Sequence, residues 1–594
     1  MQHSQSNQSS IDHIMFENSY KTYSYVSSPI LNFNRLLPSD RFYTKYGYVY
    51  TEDHVLVHSI FVRRLPVEMT ADSVRGYFSI HGEIADVKVT PSSKIGPDVH
   101  DSAEAVVKFC DASSAYLAIA AKPRHIEHGL YLDIVPYFSW EQPNAYKLSN
   151  ADDNSMVDEP ILTISKNRTN LLALDDDSLE KIFSYLTLQD QINFLRVCPR
   201  LRNVFEMYTK HAYKTCKLDV LYNLTLWELR DFFTAAGASL ECLVGRIPSE
   251  FLERYMYYIL KYSPRLKTLN MMSVAIKDDD LEAITKLEHM ENLILSKNTY
   301  LTGKHIDRFK NLKQLEMYDC DGLEPGHLVK IITTLSNLTL LDIQRCEILT
   351  TSMVDLMVEH LPKLEVFKFS IPPTCCSRLA LLPSLKKLDI LSSYEMAYIP
   401  DELFEKLVEH RADQLERLCI ISRNAIAKRH IDKIIQLRNL RFLSIGNNDA
   451  VDDEALQKLC QLQKLEILSI KDCHVITDRA LLSLVKSCPR LHIINIDFCF
   501  QISIKFVIDA LTFLRNNKDF VERDLPLEFP VRGTRMESGI KKRYANLIKD
   551  GEDQNLIKII HRYDVRVDTL DEVMIRDIWR IPHLHGIRER YRFH

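Results

Sequence analysis

The sequence is poor in glycine and has no closely paired cysteines. Its 594 residues include 15 glycines, about a third of the usual share. Neither G-x-G-x-x-G nor G-x-x-x-x-G-K-[ST] occurs, which excludes the phosphate-binding loops that these motifs form. The 13 cysteines are odd in number and are never spaced C-x-x-C. A disulfide framework or a zinc ribbon is therefore not expected, and we predict reduced thiols.

Long apolar runs and a strong excess of charge are also missing. No run of about 18 apolar residues occurs, so no membrane span is predicted. The first ten residues, MQHSQSNQSS, lack the pattern of a secretory signal. The net charge is −5, with 26% charged and 46% hydrophobic residues. This excludes a wholly disordered chain and a nucleic-acid binder that relies on bulk positive charge. We expect a cytoplasmic or nuclear protein that is a multidomain α/β chain.

A small α/β domain is predicted over residues 55–140, after a leader of residues 1–54 that we expect to be partly disordered. The order β-α-β-β-α-β predicts a ferredoxin-like fold. The expected strands cover residues 60–62, 84–90, 103–109 and 130–135, and the expected helices cover 70–80 and 112–121.

This domain resembles an RNA-recognition motif, a family that stacks bases on aromatic residues of its two central strands. Phe61 stands at the aromatic position of the first motif, IFVRRL, and Arg63 follows it. The resemblance implies that both residues bind RNA. In the second motif, however, Glu104 and Val106 stand at the stacking positions, and a carboxylate repels phosphate. Residues 55–140 hold 8 Lys and Arg against 10 Asp and Glu. The domain is thus predicted either to bind RNA or to serve protein contacts.

A compact helical module is predicted over residues 171–215, after an acidic linker at 141–170. Leu179, Ile182, Phe183 and Leu186 recur at helical spacing, and residues 175–178 supply the N-cap chemistry of a first helix. A unit this small cannot bury all of its apolar surface alone. We therefore expect it to dock on a neighbour or a partner.

The module resembles the F-box, with two departures. Asp175 stands where that family usually has proline, and Leu201 stands where it often has tryptophan. The resemblance implies a three-helix fold that contacts a Skp adaptor. The residues that it assigns to this contact are Leu174, Leu179, Ile182, Phe183, Leu186, Leu188 and Asp190.

Residues 216–517 carry an internal repeat, L-x-x-L-x-L-x-x-[NC], after a helical beginning. The mean spacing of 25 residues lies in the leucine-rich-repeat range. Each copy predicts a short strand and a return segment, and stacked copies share one solenoid core. Cys320, Cys346, Cys473 and Cys499 take the turn position and resemble the cysteine-containing repeat subtype. The ten copies begin at Leu266, Met290, Leu312, Leu338, Leu364, Leu385, Leu415, Leu440, Leu465 and Leu491.

Residues that alternate with the core leucines are expected to point outward on the concave face of the solenoid. That face is the default place for a protein substrate. The candidate contacts are Glu316, Tyr318, Asp342, Gln344, Lys368, Asp389, Arg417, Lys471, Asn495 and Asp497.

The repeat is lost in residues 518–594, which we predict to be a helical tail or cap. From residue 530 onward the chain holds 14 Lys and Arg against 10 Asp and Glu. Helical patterns occur near residues 540–548, 556–561 and 570–579. Within the array, the adjacent Cys375 and Cys376 and residues 392–400 are predicted to lie in irregular loops.

No catalytic motif is present, since neither H-E-x-x-H nor G-x-S-x-G occurs. We expect no cofactor, no metal and no enzymatic activity. The resemblances imply an adaptor whose F-box docks a Skp adaptor and through it a cullin-RING ubiquitin ligase core. The repeats would bind a protein substrate for ubiquitination and proteasomal degradation. The alternative is an RNA-binding or ribonucleoprotein-associated scaffold that acts through the N-terminal domain.

Overall fold

The computed structural model of the chain divides into two compact units, Met1–Leu338 and Thr339–His594. Residues 146–170 of the linker predicted at 141–170, the Cys375 and Cys376 pair, residues 392–398 of the loop predicted at 392–400 and the helix expected at 570–579 lie outside the described residues. The structure describes residues 33, 35–91, 102–121, 125–126, 130–145, 171–370, 377–391, 399–517, 525–536 and 544–560.

The N-terminal domain is a four-stranded antiparallel sheet with two helices. Its strand order is β4-β5-β3-β8, the order of a ferredoxin-like domain, so the predicted succession of elements is present. The strand predicted at 130–135 is divided in two. The leader, which was predicted to be only partly disordered, contributes a hairpin over residues 42–51. The elements are β1 Phe42–Lys45, β2 Tyr48–Thr51, β3 Ser59–Pro66, α1 Ala71–Phe78, β4 Ile84–Pro91, β5 Ser102–Phe109, α2 Ala112–Ala120, β6 His125–Ile126, β7 Leu130–Tyr131 and β8 Asp133–Pro136.

Helix α1 begins and ends for local reasons. The Thr70 side chain accepts a hydrogen bond from the Ser73 amide, as an N-cap does. The helix ends at Phe78, two residues before the predicted end, because a tighter turn follows and leads into Gly82. Gly82 has a φ of 150°, and a Cβ there would overlap the Ser114 side chain. Glycine is therefore required at this contact between the two helices.

The helical module contains three helices, as the F-box resemblance implies: α3 Asp176–Tyr185, α4 Leu188–Arg196 and α5 Pro199–Ala212. Asp175 accepts a hydrogen bond from the Ser178 amide at 2.7 Å and so caps α3 in place of the usual proline. Thr187 caps α4. Pro199 occupies the first turn of α5, where its missing N–H costs nothing.

Five short parallel strands follow the module in the first unit. Leu269, Leu293 and Leu315 are direct partners in their register, so their side chains share one buried layer. The first two strands of this set, β9 and β10, were not predicted, because they precede the first clear copy of the repeat. The elements are β9 Thr215–Lys217, α6 Leu226–Ala236, β10 Cys242–Val244, α7 Leu252–Tyr262, β11 Thr268–Asn270, α8 Asp278–Ile284, β12 Asn292–Ile294, β13 Gln314–Glu316 and α9 Pro325–Thr334.

The second unit contains nine parallel strands. Leu388, Leu418, Leu443 and Leu468 are successive partners in the register, and all are buried. The elements are β14 Leu340–Ile343, α10 Thr351–His360, β15 Val366–Ser370, β16 Lys387–Leu391, α11 Asp401–Arg411, β17 Arg417–Ile421, α12 Lys428–Ile434, β18 Phe442–Ser444, α13 Asp453–Leu459, β19 Ile467–Ser469, α14 Asp478–Ser487, β20 Ile493–Asn495, α15 Ile504–Asn516, β21 Leu527–Pro530, α16 Ala545–Asp553 and β22 Ile557–Ile560.

Every copy of the repeat forms a strand that begins two residues after its first leucine or methionine. The ladder of strands then continues into the region predicted to be a helical tail. The helix predicted at 556–561 is wrong, because Ile557–Ile560 is a strand paired with Leu527–Pro530. Ile557 and Ile559 are buried while Lys558 is exposed, which is the two-residue period of a strand.

The turn positions after the strands tie neighbouring repeats together. The Asn298 side chain donates to the Leu295 carbonyl and, one repeat back, to the Met271 carbonyl. The Cys499 thiol donates to Ile470 one repeat back, at 3.2 Å. Burial raises the pKa of Cys499 to about 12, so this thiol stays protonated at neutral pH. Cysteine thus serves as a turn residue here, as predicted from its spacing.

Asn448 provides a direct test of these ties. Its buried side chain accepts from the Ile426 amide and donates to the Ile445 and Ser422 carbonyls. Asn448→Ala leaves these groups without partners, and each costs about 1–3 kcal/mol. We expect hydrogen exchange in β17 and β18 to report a loss of about 2–4 kcal/mol in local stability. The exposed Gln461→Ala should have no effect, and equal protection in both variants would contradict the assignment.

Candidate functional site

The predicted F-box residues include the core of the helical module. Leu179 and Phe183 are fully buried. The ring centroid of Phe183 lies 5.1 Å from those of Phe194 and Phe205. Leu201, which replaces the tryptophan usual in the F-box, is also buried. These side chains hold the three helices together and are not available to a partner.

A buried glutamine that the sequence did not indicate fixes the end of α3. The Gln191 amide donates to the Phe183 carbonyl at 2.8 Å and to the Leu186 carbonyl at 3.2 Å. Its oxygen accepts from the Tyr213 hydroxyl at 2.7 Å. Carbonyls at a helix end have no partner within the helix. Gln191 therefore sets where α3 stops and how α4 leaves it.

Exposed apolar side chains are concentrated in this module. Tyr185 is 77% exposed, Val197 69% and Leu174 39%, and Leu171 and Met207 are exposed as well. These five make up over a third of the 14 large apolar side chains that are exposed among the described residues. A concentration of exposed apolar side chains in one small module suits a surface that a partner covers. We call these five residues the exposed apolar set.

Arg200 fixes the position of Leu174. Its guanidinium donates to the Leu172 and Leu174 carbonyls and to the Asp176 carboxylate. The segment before α3 is thereby fastened to the start of α5. Leu174 is thus held at the surface by hydrogen bonds of its own backbone rather than by burial of its side chain.

The remaining predicted adaptor contacts occupy an intermediate layer. Ile182, Leu186 and Leu188 are half-buried, whereas Asp190 is exposed. The Asp190 carboxylate accepts from the Thr187 hydroxyl at 2.7 Å, which supports the start of α4. Periodicity located the helical face correctly. Periodicity could not predict which apolar residues are buried in the core and which, like Tyr185 and Val197 at the helix ends, are exposed.

Helix α6 is the platform on which the module rests. The Arg196 guanidinium pairs with the Asp231 carboxylate at 2.6 Å and lies 5.1 Å from the Trp227 ring centroid. The Gln189 amide donates to Glu228 at 3.2 Å. Charged hydrogen bonds and cation–π contacts of this kind fix orientation more than they add stability. The module is therefore held at a defined angle to the first repeats.

The N-terminal domain docks on the start of the same helix. The Glu52 carboxylate accepts from the Leu226 amide at 2.9 Å. The Asp53 carboxylate accepts from the Thr225 and Ser139 hydroxyls. The Trp140 and Trp227 rings meet edge-on with centroids 6.4 Å apart. Burial raises the pKa of both Glu52 and Asp53, because it disfavours the charged carboxylates.

This docking should depend on pH. Because both carboxyl pKa values are higher in the docked chain than in a free carboxyl group, docking binds protons. Its stability is greatest below the ordinary carboxyl pKa of about 4 and falls as pH rises through the raised values. Tryptophan fluorescence during urea titration should therefore report a higher undocking midpoint at pH 5 than at pH 7. Asp53→Asn should reduce this difference, and identical midpoints at both pH values in the wild-type chain would contradict it.

Of the ten residues predicted to point into solvent on the concave face, seven are buried, so the prediction is wrong for them. Alternation along a strand predicts which residues share one face of the sheet. It does not predict whether that face is buried. Only Tyr318, Lys471 and Asn495 keep partial exposure, and their role in substrate binding stays a prediction. The seven buried residues are Glu316, Asp342, Gln344, Lys368, Asp389, Arg417 and Asp497.

Four of the buried residues form an ionic ladder across β14 to β17. Asp342, Lys368 and Asp389 are direct register partners. Lys368 lies 3.5 Å from Asp342. Arg417 binds both carboxylate oxygens of Asp389, at 2.8 and 3.1 Å, and its guanidinium carbon lies 4.0 Å from the ring centroid of Phe442. Each charge is thus paired inside the second unit, as buried charges must be.

Of the two residues predicted to bind RNA, Phe61 is buried and Arg63 is only partly exposed. Phe61 is 3% exposed and its ring packs 6.1 Å from that of Tyr137, measured between centroids. Arg63 pairs with Asp133 at 3.3 Å and donates to the Pro38 carbonyl. The chain's own leader therefore covers the predicted base-stacking surface. The sequence of the domain alone could not predict this contact.

Two negative findings apply to the described ranges. No helix there is long and apolar enough to span a membrane. No group of three or more His, Cys, Asp and Glu side chains there could hold a metal ion.

Comparison with known proteins identifies the helical module. The sequence profile of the F-box domain matches residues 171–212, so this part of the chain is an F-box domain. No curated protein matches the sequence. A chain in the crystal structure of the yeast Rad7 and Elc1 complex is 16% identical over 67% of this chain and 96% of its own length, with a TM-score of 0.40. The RRM3 domain of Mip6 is 22% identical over 14% of this chain and 94% of its own length, with a TM-score of 0.12.

Proposed function

We propose that the protein is a substrate-recognition adaptor of a Skp–cullin–F-box ubiquitin ligase and carries out no bond chemistry itself. The F-box domain at residues 171–212 is the observation that carries this proposal. The domain docks the Skp adaptor, which joins it to the cullin-RING core. The repeats hold a protein substrate close to the ligase for ubiquitination and proteasomal degradation, in the cytoplasm or the nucleus. Such an adaptor acts by raising the effective concentration of its substrate.

The exposed apolar set supports the docking role. Tyr185 and Val197 leave most of their surface in water, and covering each gains roughly 1.5–3 kcal/mol. The half-buried Ile182, Leu186 and Leu188 add partly exposed apolar surface in α3, in α4 and in the turn between them. Aromatic side chains at the centre of an interface are the usual energetic anchors. Tyr185, the most exposed residue of the set, takes that role in the proposal.

The substrate-binding role belongs to the repeats, which we propose to be leucine-rich repeats. In the second unit, Val475 and Phe500 are exposed and lie in the turns after β19 and β20. The His474 ring stacks on Phe500 with centroids 5.0 Å apart. The partly exposed Lys471 lies 5.6 Å from the Phe498 ring centroid. Aromatic and basic groups side by side favour a substrate segment that is apolar with acidic flanks.

Charged substitutions in the exposed apolar set test the docking role. Tyr185→Asp combined with Val197→Asp should weaken binding of the Skp adaptor at least a hundredfold, since two apolar contacts of roughly 1.5 kcal/mol or more are replaced by desolvated charges. Calorimetric titration of the full chain with the purified Skp adaptor measures this change.

The matched control places aspartate at two exposed apolar positions of other regions. Ile80→Asp combined with Val475→Asp should bind the Skp adaptor as the wild-type chain does. Because Tyr185 and Val197 are exposed, the double variant should keep the thermal unfolding profile of the wild-type chain. Unchanged Skp affinity in a folded Tyr185→Asp/Val197→Asp variant contradicts the docking surface.

A comparison of two variants tests the substrate role. Proteins that accumulate in cells with the Tyr185→Asp/Val197→Asp chain should also accumulate with Val475→Asp/Phe500→Asp, because both variants uncouple substrate from ligase. Whole-proteome mass spectrometry measures the overlap, and Leu117→Asp on the exposed side of α2 is the control. Two sets of accumulated proteins with no member in common would contradict substrate binding at the β19 and β20 turns.

A further inference from the structure

The sheet face of the N-terminal domain is occupied by the chain's own leader. Arg35 forms an ion pair with Glu104 on the central strand β5. Its guanidinium carbon lies 5.9 Å from the ring centroid of Phe61 on the other central strand, β3. Phe33 and Pro38 are both buried. We call Phe33 and residues 35–38 the leader segment.

Side chains of both central strands hold the leader segment. Arg63 donates to the Pro38 carbonyl at 3.3 Å, and its guanidinium carbon lies 5.7 Å from the ring centroid of Phe61. Glu104 is 7% exposed, and a carboxylate at that depth needs a charged partner. In this chain Arg35 provides it. The face therefore combines one acidic group, one aromatic ring and one donor to a backbone carbonyl.

We propose that this face is a peptide-binding site that selects an arginine-bearing extended segment, and that the leader segment occupies it in cis. A carboxylate at its centre repels phosphate but pairs with a guanidinium. The Arg63 donor recognises a peptide carbonyl. The leader thus closes the site until it is displaced by a competing peptide of the same chemistry.

Exchange of the central ion pair tests the site in the full chain. The probe is a fluorescent peptide of residues 31–42, LNFNRLLPSDRF, added in trans and followed by fluorescence anisotropy. The wild-type chain should exclude it, because the tethered leader has an effective concentration near millimolar. Arg35→Glu weakens the binding of the leader to the sheet face and leaves Glu104 in place. The probe peptide should therefore bind this variant at least tenfold more tightly than it binds the wild-type chain.

The reciprocal variants make this result specific. Glu104→Arg should release the leader without binding the probe peptide. It should instead bind a peptide in which glutamate replaces the arginine at position 35. The Arg35→Glu/Glu104→Arg double variant should close again and exclude both peptides. Lys45→Glu, an exposed charge reversal in the same leader, should behave as the wild-type chain. Closure in the double variant shows that the opening in each single variant comes from the broken Arg35–Glu104 pair.

Two outcomes would overturn the proposal. A labelled single-stranded RNA of 12 nucleotides that binds the Arg35→Glu and Glu104→Arg chains, with no peptide binding, would make the face a masked nucleic-acid site. Failure of every variant to bind either peptide or RNA would make the leader contact a permanent part of the fold. Skp binding by the F-box domain should be the same in all of these variants.

Discussion

Burial of helix α6 between two other parts of the first unit is the constraint on which that unit depends. Its first turn is capped by Thr225 and receives Glu52 and Asp53 from the N-terminal domain. Its outer side pairs Asp231 with Arg196 of the F-box domain. A forty-residue helical module has too small a core to stand alone, so the platform supplies the missing contact. Loss of that platform would leave the F-box domain without a defined orientation.

The same arrangement leaves the exposed apolar set largely uncovered by the described parts of the chain. The core takes Leu179 and Phe183, and Gln191 fixes the turn between α3 and α4. What remains exposed is concentrated at the helix ends, at Tyr185 and Val197. A rigid module with an uncovered apolar surface suits an adaptor, which has to hold two partners in a fixed geometry without chemistry of its own.

Periodicity predicted the elements whose burial repeats along the chain. Ten strands begin two residues after the ten predicted starts, because the leucines that define the repeat are the residues that fill the core. β9, β10, β21 and β22 lack that signature and were missed. Burial by segments that are distant in the sequence could not be predicted from the sequence either. Arg35 lies 69 residues from Glu104, and the ladder at Asp389 and Arg417 is covered on a face that alternation alone predicts to be open.

Hydrogen exchange of the full chain, free and saturated with the purified Skp adaptor, tests the central claim most directly. The account predicts new protection at the segment before α3, at the α3–α4 turn and around Val197, where amides lie beside the exposed apolar set. Protection on the core side of α5, away from Met207, should change little, since that side is already buried. Protection confined to the repeats or to the N-terminal domain, with none in residues 171–197, would contradict the account.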